Sequence, residues 1–172
     1  MKLVVKVLIV VLLSGALRAD AQFETVYIGI NGLTCSQCSK TVETQVRKLD
    51  FVRDVQMNLQ RTEATILLRE NKKVAIDKIA RAVKDAGFSL RSLKADIHIG
   101  NTVSVSGNCM TSNGDTYVLT QPLKRSASGT VSLRFLGKEY QPKGDYKKNT
   151  SPPTGACGNA AGTTYFVTET DN

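Results

Sequence analysis

Tryptophan is absent from this 172-residue chain, histidine occurs once, and aromatic residues together make up 6%. The single histidine, His98, has no evident nucleophile partner, and no carboxylate pair stands out. No catalytic constellation is visible, and the chain is not expected to be an enzyme. Net charge is +8, but the basic residues are scattered and not interleaved with aromatics, so a nucleic-acid interface is not indicated. The long apolar run near the start, Val7 to Leu13, falls well short of the roughly 20 residues a membrane-spanning helix needs.

Lys2 and Lys6 precede that run, and Ser14-Gly15 and Ala19-Asp20-Ala21 follow it, in the pattern of a secretory signal cleaved after Ala21. Residues 1–21 are therefore expected to be removed, leaving a periplasmic or secreted chain from Gln22 with no stable membrane span. Thiols can oxidise in such a setting. The removed segment contains Lys2, Lys6, Arg18 and Asp20, so the basic count falls from 23 to 20 and the acidic from 15 to 14, a net +6. That excess favours acidic partners or an anionic surface.

From Gln22 to about Ile97 strand and helix periods follow one another. Val26, Ile28 and Ile30 alternate with Tyr27 and Gly29, as in a half-buried strand. Val42, Val46 and Leu49 then recur at helical spacing, with Lys40, Glu43, Arg47 and Lys48 mostly elsewhere around the cylinder. Residues 52–58 and 63–69 read as a hairpin, and Ala75, Ile76, Ile79, Ala82, Val83 and Ala86 form a second helical stripe stopped by Gly87. A last strand runs from Phe88 to about Leu93. The order predicts an α+β fold of the ferredoxin-like βαββαβ type, with both helices on one face of four antiparallel strands.

Composition shifts near Asp96: all four prolines and nine of the thirteen glycines lie beyond Ile97. A boundary at 95–97 is expected, dividing a domain over 22–96 from a small all-β domain over 97–172, either a sandwich or an OB-like barrel. Alternating runs at 102–106, 116–121, 130–136 and 163–168 are its expected strands, with Asn113-Gly114 as the hairpin turn between the first two. Residues 141–162, rich in Lys, Gly, Pro and Ser, read as a long exposed loop.

The chemistry lies in Gly32-Leu33-Thr34-Cys35-Ser36-Gln37-Cys38, between the first strand and the first helix. Cys-x-x-Cys alone serves structural zinc, soft-metal carriage and thiol-disulfide exchange alike. A helix start favours thiolates, the form that binds metal. Two thiolates with no other strong ligand near in sequence suit Cu(I) or Hg(II), whereas tetrahedral zinc needs two more ligands. The other donors, Met57, His98, Cys109, Met110 and Cys157, are not spaced as zinc partners.

This motif, in the first loop of the six-element pattern, resembles the heavy-metal-associated domain of copper chaperones, copper-transporting ATPases and the periplasmic mercury-binding protein. The likeness covers roughly residues 23–95. It implies that Cys35 and Cys38 bind metal, with Cu(I) the first expectation and Hg(II), Ag(I) or Zn(II) alternatives. Thr34 and Phe88 would lie beside the ion without binding it, although Phe88 reads equally well as core. Leu33 stands where the family usually has a buried methionine, a swap that conserves volume. The resemblance also implies a metal-transporting ATPase or another donor or acceptor as partner, and Lys40, Arg47 and Lys48, a basic patch near the cysteines, would dock on an acidic face of it. Those three read most simply as a solvated helix face.

Cys109 and Cys157 read first as a structural disulfide in a small exported domain. The sharper reading makes Cys109 and Met110, with Cys157 or His98, a second soft-metal site. Two rival functions stand beside metal carriage. A low-pKa Cys-x-x-Cys outside the cytoplasm also suits a thiol-disulfide oxidoreductase. Against that, the thioredoxin-type pattern usually has a tryptophan before the first cysteine and a cis-proline opposite, and residues 22–96 contain neither. Alternatively, the first domain is a sensor or tether and the β domain binds a protein or surface.

Overall fold

The computed structural model describes residues 23–70, 72–100, 103–124, 129–149, 157 and 162–170, so the expected signal segment lies outside the described residues. The first half follows the expected order: β1 (Thr25–Asn31), α1 (Ser36–Arg47), β2 (Val52–Asn58), β3 (Glu63–Leu68), α2 (Ile76–Asp85) and β4 (Ser89–Ile99). Val26, Ile28 and Ile30 turn inward from β1, at 1% exposure or less. They meet Val42 and Val46 of α1 and Ile76, Ile79 and Val83 of α2 in one core. The helical stripes at i, i+3, i+4 and i+7 place those side chains on the faces that pack against each other and the sheet. β1 runs antiparallel to both β3 and β4, giving the order β2-β3-β1-β4 of the ferredoxin-like fold.

The expected boundary at 95–97 falls inside a strand. β4 continues to Ile99, and residues 94–99 pair antiparallel with β8 (Gly129–Leu136). The reason is visible in β4 itself: Leu93, Ala95, Ile97 and Ile99 continue the buried alternation past the compositional change. Asp96 is held on the opposite face, accepting the Tyr27 hydroxyl at 3.0 Å and the Ser132 hydroxyl. Burial, reinforced by this bond, holds the Tyr27 phenol above its ordinary value.

The remaining strands are β5 (Val103–Ser106), β6 (Cys109–Ser112), β7 (Asp115–Leu119) and β9 (Thr164–Glu169). Together the described strands form one nine-stranded sheet, β2-β3-β1-β4-β8-β9-β7-β6-β5. The expected separate sandwich or barrel is therefore corrected to an extension of the first sheet, because β8 finds its partner in β4. Two details also differ. β6 was not anticipated, and Asn113-Gly114 joins β6 to β7, with φ of +50° and +83° suited to a two-residue hairpin turn. The expected loop 141–162 contains a short helix, α3 (Lys143–Asn149), and begins at a buried Gln141.

Aromatic side chains join the two halves. Phe23, fully buried, meets Tyr117 edge-on at 5.8 Å and Phe135 at 6.0 Å, and Tyr117 stacks on Tyr165 at 5.4 Å. Polar contacts pin the start of α2 to the same region: Asp77 accepts the Tyr140 hydroxyl and, at 3.4 Å, that of Tyr165, while Lys73 pairs with Asp115 at 3.1 Å. Burial pushes the Tyr117, Tyr140 and Tyr165 phenols far above their ordinary range.

Candidate metal centre

β1 ends at Asn31, whose amide donates to Ser89 Oγ at 3.3 Å and to the Leu90 carbonyl at 3.5 Å. This brings the loop after β1 and the Gly87-Phe88 corner before β4 to the same end of the sheet. Gly32 takes φ of +76°, a left-handed conformation that glycine adopts without Cβ strain, and the Thr34 N–H closes a tight turn on the Gly32 carbonyl at 3.0 Å. Leu33 is 1% exposed and anchors the loop in the core. It leaves Thr34 and Cys35 at the surface.

Cys35 is the N-cap of α1, with extended backbone, and its Sγ accepts the Cys38 N–H at 3.0 Å. Its carbonyl receives the Ser39 N–H and the Ser39 hydroxyl, each at 3.1 Å. The first turn of α1 holds no acidic residue, so its N–H groups present undiluted positive potential to the sulfurs. Cys38 is half-buried and packs against the core, and the two cysteines are joined as a disulfide with their Cα atoms 5.2 Å apart. Metal binding by this pair requires its reduction to two thiols, taking up two electrons and two protons.

Phe88 is half-buried against the core, its N–H bonded to the Val83 carbonyl at 3.1 Å, and it also lines a surface cleft. Thr34 is exposed. The helix-face cations are partly neutralised: Lys40 reaches Glu43 at 3.3 Å, and Arg47 bridges Glu43 at 2.7 Å and Asp54 at 2.6 Å. Its guanidinium also donates to the Val55 carbonyl at 2.8 Å. The Arg47 hydrogen bonds hold both carboxyls below their ordinary range. Of the expected basic docking patch, Arg47 is thus a brace between α1 and β2.

The suggested second soft-metal site does not assemble. Cys109 is joined to Cys157, with Cα atoms 5.6 Å apart, while its neighbour Met110 points to the other face of β6 and is fully buried. His98 lies on β4, exposed beside Glu24 at 3.8 Å, with three strands between β4 and β6. Among the described residues no three His, Cys, Asp or Glu side chains cluster as a metal site.

The profile of the heavy-metal-associated domain family matches residues 28–89. A mercuric transport protein periplasmic component from Pseudomonas fluorescens is 32% identical over 68 residues, spanning 40% of this chain and 74% of the relative. The copper chaperone CopZ of Bacillus subtilis is 34% identical over 61 residues, spanning 36% of this chain and 87% of the chaperone. The chain belongs to the heavy-metal-associated domain family. A probable copper-exporting P-type ATPase from Archaeoglobus fulgidus is 32% identical over 63 residues, 37% of this chain, but the match spans only 8% of the ATPase. Membership rests on the first half, and the joined strands beyond Ile99 lie outside the family match.

Proposed function

We propose that this chain is an exported soft-metal carrier that binds one ion through Cys35 and Cys38 and passes it on by thiolate exchange. The supporting observation is the paired cysteines at the exposed start of α1, inside the family-matched segment. Reduced, the pair supplies two thiolates, each losing a proton as the ion binds, and its exposure lets a partner's thiolate enter as a third ligand before the first pair lets go. Cu(I) is the preferred cargo. Hg(II) is the alternative, because the named relatives divide between copper and mercury. Ag(I), Zn(II) and Cd(II) remain chemically compatible with thiolates. The expected partner is a metal-transporting ATPase or another donor or acceptor with an acidic face, and the expected compartment is the periplasm or exterior.

The test is an anaerobic titration of the reduced chain with Cu(I), and separately with Hg(II), against a competing chelator. Tight one-to-one binding that disappears in the Cys35→Ser/Cys38→Ser variant is the expected result. Weak binding, or binding that survives the double substitution, overturns the proposal. A second reading, thiol-disulfide exchange, is favoured by the Cys35–Cys38 disulfide. Reductant-coupled turnover on a disulfide substrate, lost in the same variant, would support it over carriage.

A further inference from the structure

A cleft of about 620 Å³ opens between α2, the start of β4 and the segment 138–143. Its volume lies within the roughly 300–1,000 Å³ common to small-molecule sites. One bank carries Arg81 and Lys84, and the other carries Lys138 and Lys143 with a single acid, Glu139. No ion pair among the described residues engages any of these five charges. By contrast, Lys40, Arg47, Lys72, Lys73 and Arg91 each face a carboxylate.

Gln141 also lines the cleft, at 6% exposure. Phe88, Leu90 and Pro142 supply an apolar wall. The site therefore offers several cations, one anion and apolar surface for a carbon skeleton.

We propose that this cleft binds a short acidic peptide with a free amino group, carrying two carboxylates and one ammonium. The carboxylates would meet the lysine and arginine side chains, and the ammonium would meet Glu139. A simple anion satisfies the four cations but leaves Glu139 facing like charge, which is why a zwitterion fits better. The site is built from both halves of the chain, and its occupancy does not depend on metal binding at Cys35 and Cys38.

Calorimetric titration of the full oxidised chain with glutamylglycine tests this. N-acetyl-glutamylglycine, succinate and inorganic phosphate serve as comparison probes, and none of the four carries a thiol that could react at the disulfide. Saturable one-to-one binding of the free peptide is expected, weakened about three- to fivefold by N-acetylation. Lys84→Ala/Lys138→Ala should weaken it about five- to tenfold, and Glu139→Gln should remove the preference for the free amine. The substituted residues are exposed, so folding is preserved, and far-UV circular dichroism verifies it. Absence of saturable binding by the free peptide overturns the proposal. So does phosphate or succinate binding as tightly as the peptide, because a basic surface alone would do that. Cys35→Ser/Cys38→Ser should bind the peptide as the parent does.

Discussion

Single residues around the cysteine loop act through burial and charge. Leu33 carries the loop into the core, and its truncation to alanine should cost about 2–5 kcal/mol. Chemical denaturation measures that loss, and a variant that keeps its parent stability would show that the loop does not depend on this anchor. Arg47 acts through charge. Its bonds depress the Glu43 and Asp54 carboxyls, so their contribution is present above the unfolded values of about 4.3 and 3.9 and is lost as pH falls through the lower folded values. Arg47→Met should therefore lower Tm near pH 7, and the gap from the parent should close toward pH 3. A gap independent of pH would assign the effect to lost packing or to the Val55 bond.

At the scale of elements, β4 decides the architecture. Its first half completes the four-stranded unit, and its second half is the template on which β8 pairs. A chain ending after Gly100 would leave Phe23 without Tyr117 and Phe135, and Ile97 without Val131 across the ladder. Thermal unfolding of that fragment should show a lower Tm than the first transition of the full chain. An unchanged midpoint would mean that the two halves are energetically independent. Helices α1 and α2 and the β2-β3 hairpin were legible because each period repeats over several turns or residue pairs. β6 escaped because Cys109-Met110-Thr111-Ser112 is too short for alternation to register, and α3 because Lys143–Asn149 has no apolar stripe.

For the whole molecule, the Cys109–Cys157 bond closes a separation of 48 residues in the second half. On the chain-entropy estimate, Cys109→Ala/Cys157→Ala should cost up to roughly 4 kcal/mol while leaving the metal affinity proposed for Cys35 and Cys38 unchanged. Parallel denaturation and metal titration of that variant separate the two effects. A loss of metal affinity would instead indicate that the second half supports the metal loop.

The sequence by itself determined the βαββαβ unit and the Cys35–Cys38 pair at a helix start, because hydrophobic period and motif spacing are local properties of a short stretch. It also suggested Cys109 and Cys157 as partners. Only the tertiary structure decided that β4 runs through the compositional boundary and joins all described strands in one sheet. Strand pairing between residues 94–99 and 129–134 depends on hydrogen bonds between distant segments, which no local period encodes. The same holds for the cleft beside Phe88: its cations come from α2 and from residues 138–143, and folding alone sets them facing one another.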